Sequence, residues 1–406
     1  MPLWQRVIAG LVLGIALGAL WPQGAGAIAI LGDLFVRLIR MLVVPVVLVT
    51  IAAGIAALGD PRRLGAIGGR TVLLFAFTTV VAVTIGMATG LLVRPGVGIA
   101  LADVVPHALG PATSAADQVL DIVPVNIIDT LAKGNMLAVI FTAVLIGAGA
   151  VAAGEAGRPV VGLLEGLAAV LLHIVRIVME VTPLGVLALI ARAVASGGAA
   201  VFVNIGALAL CVVVASVAQM LFHGALIAFI ARLPVLRFFR GIIDALVVGF
   251  STASSSATLP VGLRVAEDNL GIAPGVAGTV LPLGASIGKD GTAMYVGLMG
   301  QFALQALGIT PDAGMLFVML LTGALAAFGT APVPSASLFM LAAMLSAVGI
   351  APEQTALVVG LVLPFDRLLD MTRTTPSVCA NLAVATLVAR RASALDETVF
   401  RGAVSG

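Results

Sequence analysis

A stripe of polar side chains interrupts the last long apolar run of the chain, which extends over Thr355–Ala389. Its members step by four, three, four and four residues: Asp366, Asp370, Arg373, Ser377 and Asn381. On a helix this spacing places them on one face. Ionisable groups inside a membrane helix are costly, face the interior of the bundle and mark functional sites. One alternative stays open, in which Asp370 and Arg373 neutralise each other as a structural ion pair.

A second polar segment, Gly284–Thr292, contains three glycines together with Ser286, Lys289 and Asp290. Glycines and adjacent opposite charges cannot continue a lipid-facing helix, so we expect an unwound turn whose free carbonyl groups bind a cation. The alternative is a glycine-rich packing kink, with the Lys289 side chain snorkelling to the membrane interface.

Two segments of similar composition each break an apolar run: Phe250–Pro260 and Phe328–Leu338. Hydrocarbon cannot satisfy bare N–H and C=O groups, so a broken helix at membrane depth must line an enclosed or wet cavity. A matched pair of such breaks is typical of the binding site of a transporter. Within the first break, Ser254–Ser256 offers hydroxyl and N–H groups to an anion, although an ordinary serine turn has the same composition.

The amino-acid composition indicates whether these elements lie in water or in a membrane. The chain has 61% hydrophobic and 10% charged residues, with a mean hydropathy of +1.21, whereas soluble domains carry about 25% charged residues. We therefore expect most of the chain to lie in lipid. The net charge of +2 is too small to indicate a nucleic-acid partner. Cys211 and Cys379 lie in separate apolar runs and are interpreted as core thiols.

The apolar runs predict an all-α integral membrane protein. They are Arg6–Leu20, Ile28–Leu58, Thr71–Val93, Val123–Ala152, Val160–Ala195, Val201–Ala231, Phe239–Val265, Ile272–Leu307, Met315–Val348 and Thr355–Ala389. Most arginines share one side if both broken runs enter and leave on the same face, and the positive-inside rule makes that side cytoplasmic. Arg37, Arg40 and Arg94 fall on the other side.

The resulting prediction is eight spanning helices and two re-entrant helical hairpins, with cytoplasmic N- and C-termini. The hairpins enter from opposite faces, as an inverted repeat predicts. The polar stretch from Arg390 to Gly406 is expected to fray.

With these motifs the sequence resembles the dicarboxylate/amino acid:cation symporter family, which includes prokaryotic aspartate and glutamate transporters and animal excitatory amino acid transporters. The resemblance extends over essentially the whole chain. Its strongest marks are Ser254–Pro260, Asp290–Thr292, Gly329–Ala331 with Pro334, and Asp366–Thr374.

The resemblance implies a homotrimeric, multi-pass protein of a prokaryotic cytoplasmic (inner) membrane. It implies a static scaffold, residues 1–70 (helices 1 and 2) and 118–197 (helices 4 and 5). It also implies a transport domain that moves as an elevator, residues 71–117 (helix 3) and 198–391 (helix 6 to helix 8 with both hairpins). Residues 392–406 would form a cytoplasmic tail.

The resemblance also implies residue roles. Arg373 corresponds to the arginine that pairs with the side-chain carboxylate of the substrate, and a planar guanidinium suits that bidentate contact. Asp370 corresponds to the residue that holds the substrate's amino group. The full substrate-binding set would be Ser254, Ser255, Ser256, Thr292, Val333, Pro334, Asp370, Arg373, Thr374 and Ser377. The cation-coupling set would be Thr78, Thr79, Gly284, Ser286, Lys289, Asp290 and Asn381.

Departures from the family pattern concern the cation sites. The motif that usually reads Asn-Met-Asp-Gly-Thr is here Gly288 to Thr292, with Lys289 in place of methionine. Ser377 and Asn381 replace an Asn and an Asp that ligate sodium in the family. Only Thr78, Thr79 and Asp290 would remain as a residual sodium site.

The hypothesis is that Lys289 acts as a built-in cation and replaces one or more sodium ions. Two cations a few Å apart repel by about 4 kcal/mol at an effective dielectric of about 20. The substrate would then be an acidic amino acid or a related dicarboxylate, moved without sodium or with protons, and no other cofactor is implied. The main alternative is a conventional sodium-coupled symporter of aspartate, glutamate or C4-dicarboxylates. Remote alternatives are an intramembrane hydrolase with a dyad of Lys289 and Ser255 or Ser256, and a channel-like anion pathway.

Overall fold

Helices make up nearly all of the described chain, as its long apolar runs predict. The computed structural model describes residues 3–58, 66–99, 123–134, 136–197, 200–328 and 336–402. Its helices are α1 (Leu3–Leu20), α2 (Pro22–Ala27), α3 (Ala29–Leu58), α4 (Ala66–Val93), α5 (Ile127–Lys133), α6 (Met136–Ala152), α7 (Arg158–Met179), α8 (Thr182–Gly197), α9 (Ala200–Leu226), α10 (Val235–Thr252), α11 (Ser255–Asp268), α12 (Pro274–Ile287), α13 (Asp290–Ala306), α14 (Ala313–Phe328), α15 (Ala336–Ala347), α16 (Pro352–Arg391) and α17 (Glu397–Arg401). These residues contain no β-strand, so the all-α prediction is confirmed for them.

Three helical segments of the described chain are long and apolar enough to cross a membrane: Ile67–Val93, Gly154–Val175 and Ile205–Ala231. They expose large apolar side chains, among them Leu92 and Phe229. Such exposed apolar surface is what a lipid-facing helix requires.

Two predicted runs each contain two helices. Within Val123–Ala152, α5 ends at Lys133, followed by Gly134 in a left-handed conformation with φ of +72°, and α6 begins at Met136.

The sequence predicts a single helix over Val160–Ala195, but α7 ends at Met179 and α8 begins at Thr182. Pro183 is the second residue of α8, where its missing N–H is harmless. Within a continuous helix its ring would clash with the carbonyl four residues earlier. The single-helix prediction is therefore wrong at this point.

The first predicted break is a helical hairpin formed by α10 and α11. Ala253 takes a left-handed conformation with φ of +52°. Ser254 then caps α11 by accepting a hydrogen bond from the N–H of Ala257 at 3.2 Å. Farther from the tip, an ion pair of 3.0 Å between Arg264 and Asp244 joins the two legs.

The second predicted break lies between α14 and α15, which pack against each other. Residues 329–335, which connect them, lie outside the described residues. The predicted site residues Val333 and Pro334 are among them.

The predicted helix break in Gly284–Thr292 is confirmed, and it lies between α12 and α13. Gly288 leaves the helical conformation with φ and ψ of −78° and 66°, and Lys289 follows with −103° and 42°. Asp290 then begins α13, a helix whose side chains are almost all buried. The break therefore lies inside the bundle.

The crossing of α4 and α13 is unusually close. A Cβ atom at Gly86 would lie 1.9 Å from the carbonyl oxygen of Met294, so only glycine allows this approach. The crossing brings Thr79 of α4 into hydrogen-bonding contact with Asp290.

The polar C-terminal stretch packs against the chain. The N–H of Asp396 donates to the carbonyl of Gly271 at 2.8 Å, and the N–H of Ala273 donates to that of Ala394 at 2.9 Å. Phe400 of α17 is buried. The prediction that this stretch frays is wrong for the residues described up to 402, because these contacts hold it.

Candidate functional site

The stripe on α16 is buried along its length, as its spacing predicts. At its centre, Arg373 is 2% exposed. Its Nε and Nη2 atoms donate to Oδ1 of Asp370 at 3.0 and 2.8 Å, and its Nη1 lies 3.5 Å from Oδ1 of Asp366. Nη1 also donates to the hydroxyl of Ser337 on α15. The ion pair considered from sequence is therefore present, and a second carboxylate joins it.

Tyr295 of α13 packs against this charged cluster. The guanidinium carbon of Arg373 lies 4.3 Å from the centre of the tyrosine ring, which is a cation–π contact. The hydroxyl of Tyr295 donates to Oδ1 of Asp366 at 3.2 Å. Stacking and hydrogen bonding therefore fix the plane of the guanidinium.

The lower part of the stripe binds backbone groups. Thr374 donates to the carbonyl of Asp370 at 2.7 Å, and Ser377 accepts from the N–H of Gly291 at 3.0 Å. With its nitrogen facing α12, the amide of Asn381 donates to the carbonyls of Gly284 and Gly288, each at 3.2 Å. The opposite orientation would place the amide oxygen against acceptors only.

Lys289 does not bind its neighbour Asp290 by a hydrogen bond or ion pair. Its ammonium donates to the hydroxyl of Ser255 at 2.5 Å, and the residue is only 4% exposed. The bond ties the break between α12 and α13 to the first turn of α11. A snorkelling lysine would end at a surface, so the snorkelling alternative is wrong for this structure.

Asp290 is fully buried and accepts hydrogen bonds from three protein side chains. Thr79 donates to its Oδ1 at 3.0 Å. Gln219 of α9 donates to its Oδ2 at 3.3 Å, and Nε2 of His223 lies 3.0 Å from the same oxygen. Sequence reasoning missed Gln219 and His223. A signal was available, because two polar residues four apart in an apolar run share one helix face.

Four other residues of the predicted sets form no hydrogen bonds with the buried charged side chains described above. Ser256 is exposed, and Thr292 is half-buried. Ser286 is exposed and donates to the carbonyl of Pro282 in its own helix. Thr78 is buried, but its hydroxyl also donates within its own helix.

The described part of the chain has no group of three or more His, Cys, Asp or Glu side chains that could hold a metal ion. Its buried charged side chains are two positive, Lys289 and Arg373, and three negative, Asp290, Asp366 and Asp370. The formal charge of this set is therefore −1.

Apolar helices with buried charges at a helix break are typical of a membrane transporter. The chain belongs to the sodium:dicarboxylate symporter family, whose model matches residues 3–391. This confirms the family that the sequence motifs indicate.

Relatives from several bacteria support the assignment. The chain is 32% identical to the proton/sodium-glutamate symport protein of Geobacillus stearothermophilus over 95% of its length and 93% of the relative's. It is 32% identical to the C4-dicarboxylate transport protein of Anaeromyxobacter sp. (strain K), over 100% and 93%. It is 31% identical to the proton/glutamate-aspartate symporter of Bacillus subtilis (strain 168), over 94% and 93%. All these names are of transporters, so the chain is a transporter and not an enzyme, and the hydrolase alternative is wrong.

Proposed function

We propose that this protein carries an acidic amino acid, aspartate or glutamate, across a prokaryotic cytoplasmic membrane, with protons rather than sodium as the coupling ion. The observation that carries the proposal is the buried guanidinium of Arg373, bound by Asp370 and flanked by Asp366. A permanent cation that is buried and well oriented is suited to a carboxylate ligand.

The pair of Arg373 and Asp370 favours a substrate that carries both charges. When the two separate, each loses a partner inside the bundle, and a buried unpaired charge is strongly unfavourable. An acidic amino acid offers a carboxylate to Arg373 and an ammonium to Asp370, so both charges are paired again. A plain dicarboxylate would leave Asp370 facing a second anion.

Hydroxyl groups around this pair would orient the substrate. Ser255, Thr292 and Thr374 would hold its carboxylates. The rest of the proposed substrate set is Ser254, Ser256, Val333, Pro334 and Ser377.

Charge balance supports coupling to a cation. The buried charged set has a formal charge of −1, and an acidic amino acid adds another negative charge. Because uncompensated charge inside a membrane protein is costly, a cation must accompany the substrate. The fixed positive charge of Lys289, which binds Ser255, is already counted in this set, so protons would supply the remaining compensation.

The proposed architecture is that of the elevator carriers described above. Eight spanning helices and two re-entrant hairpins, related by an inverted repeat, would form a homotrimer with cytoplasmic termini. Residues 1–70 and 118–197 would be the scaffold, and residues 71–117 and 198–391 the transport domain. The packing of α4 against α13, which are distant in sequence and both assigned to the transport domain, supports this division.

Uptake of labelled aspartate and glutamate into proteoliposomes tests the proposal. With an inward proton gradient and choline replacing sodium, we expect saturable uptake that collapses when a protonophore is added. Arg373→Gln should abolish it, whereas Arg264→Gln, at an exposed ion pair, should not. Strict dependence on sodium would reject the coupling proposed here.

A second candidate is transport of C4-dicarboxylates, the activity named for the Anaeromyxobacter relative. Competition separates the two, because excess succinate would displace labelled aspartate strongly only if the amino group contributes little. A sodium-coupled carrier of either substrate class is the remaining alternative.

A further inference from the structure

The carboxylate of Asp290 is occupied by protein donors on both oxygens. Oδ1 accepts from Thr79 at 3.0 Å, and Oδ2 has Nε2 of His223 at 3.0 Å and Nε2 of Gln219 at 3.3 Å. All four side chains are fully buried. An ionised carboxylate only accepts hydrogen bonds, so the proton of a neutral His223 must be on Nε2.

The two nitrogen donors lie side by side at Oδ2 of Asp290, with Nε2 of His223 3.2 Å from Nε2 of Gln219. Nδ1 of His223 and Oε1 of Gln219 are buried and have no hydrogen-bond partner among the described residues. Two buried polar side chains thus leave one polar atom each unsatisfied and place the other on Oδ2 of Asp290. Buried polar atoms are normally paired, which indicates that the contact with Asp290 is the function of both residues.

Nearby oxygens that could bind a cation are occupied in the same manner. In the orientation in which its nitrogen faces α12, the amide of Asn381 donates to the carbonyls of Gly284 and Gly288 at 3.2 Å. The ammonium of Lys289 donates to the hydroxyl of Ser255. Nitrogen donors of the protein therefore bind oxygens at each of these positions. Hard cations need several free oxygen ligands, so the residues present do not fit sodium.

We infer that His223 and Gln219 exclude sodium from Asp290 and thereby determine the cation selectivity of this carrier. The inference rests on the proposed function for its transport readout. Sodium at Oδ2 of Asp290 would have to displace both N–H donors, and a buried carboxylate with hydrogen bonds to fixed donors favours those donors. Neither residue acts on the substrate, so both are positioning residues that act through Asp290.

The test replaces both donors and measures sodium in two ways. Gln219→Ala with His223→Ala removes the groups on Oδ2 and opens polar space beside a buried anion. Uptake is compared in sodium chloride and choline chloride at one pH and one proton gradient. The melting temperature of the purified protein is compared in the same two salts, since a bound ligand stabilises the folded state.

We expect wild-type uptake to be equal in the two salts. In the double variant, sodium should stimulate uptake about fivefold or more, the lower range of coupling between two ligand sites. Sodium should also raise the melting temperature of the double variant but not that of the wild type. His223→Gln with Gln219 intact retains an N–H donor at this position and should remain insensitive to sodium. Gln301→Ala removes another fully buried amide and should leave both ratios unchanged.

Two results would overturn the inference. One is a double variant whose melting temperature is the same in both salts. The other is a wild-type protein that sodium stabilises, with that stabilisation lost in Asp290→Asn. If the double variant is not recovered, His223→Ala alone provides the melting comparison. Absence of aspartate and glutamate uptake by the wild type would reject the proposed function, whereas the melting comparison would still report on Asp290.

Discussion

Lys289 and Ser255 are joined by a hydrogen bond of 2.5 Å, although 34 residues separate them in the chain. The bond connects the break between α12 and α13 to the first turn of α11. Both residues are buried. The positive charge that distinguishes this chain from the family pattern therefore lies against the first hairpin rather than beside Asp290.

Replacing Lys289 tests its role as a built-in cation. Lys289→Met makes the buried charged set more negative, so an anionic substrate should bind less well. We expect sodium-free uptake to fall by about tenfold or more, which corresponds to about 1.4 kcal/mol. Lys133→Met is the matched control, because Lys133 is the other lysine of the chain and forms an exposed pair with Asp129. Unchanged uptake by Lys289→Met would refute the built-in cation.

The guanidinium of Arg373 should not be replaceable by an ammonium. Lysine keeps the charge but cannot make two parallel hydrogen bonds or stack as a plane on Tyr295. We expect Arg373→Lys to lower the initial rate of aspartate uptake by about tenfold or more. Arg264→Lys changes an exposed ion pair worth about 1 kcal/mol or less, and its uptake should match the wild type. Equal rates for both variants would show that the planar group is not needed.

The contact between α13 and α16 should tolerate no side chain at Gly291. A Cβ atom there would lie 1.7 Å from the carbonyl oxygen of Arg373. We expect Gly291→Ala to cost about 1–3 kcal/mol through overpacking and to lower the melting temperature in detergent. Gly278→Ala is the control, since no atom lies within 4 Å of its Cβ position. An alanine there should be neutral or stabilising, because alanine favours helix more than glycine does.

The C-terminal helix α17 should loosen in acid. The hydroxyl of Thr398, together with the N–H groups of Thr398 and Val399, holds the pKa of Asp396 below its usual range. Because the pKa is lower in the folded state, the cap stabilises α17 fully above the ordinary Asp value of about 4. That stabilisation is lost as the pH falls through the lowered value. Protection factors from hydrogen exchange over residues 397–401 would measure it.

Asp396→Asn keeps the helix cap but removes its titratable group, since asparagine caps a helix about as well as aspartate does. The variant should retain protection at neutral pH and lose part of the acid dependence. Glu397 supplies the remainder, because its pKa is lowered by hydrogen bonds from Arg390 and Arg401. An identical pH profile for variant and wild type would show that titration of Asp396 does not cause the loosening of α17 in acid.

Much of this protein follows from local pattern. Apolar runs predict the helices, Gly288 predicts a break that no lipid-facing helix could contain, and the spacing of the α16 stripe predicts one buried face. These features depend on neighbours within a few residues, so a sequence states them directly. The motifs also indicate the family, which the family model and the relatives confirm.

Local pattern does not predict structural features that depend on a single residue or on a contact between distant parts of the chain. Pro183 lies where the predicted run Val160–Ala195 divides into two helices, and main-chain bonds to Gly271 and Ala273 hold a polar tail that composition alone would leave loose.

The partners of the buried charges were settled only by the tertiary structure. From sequence, Asp290 has Lys289 as its obvious partner, because the two are adjacent. In the folded chain α9 brings Gln219 and His223 to Asp290, and α11 brings Ser255 to Lys289. At a helix break, the side chains of adjacent residues point in different directions. Which group meets each charge therefore depends on the helices that pack against the break.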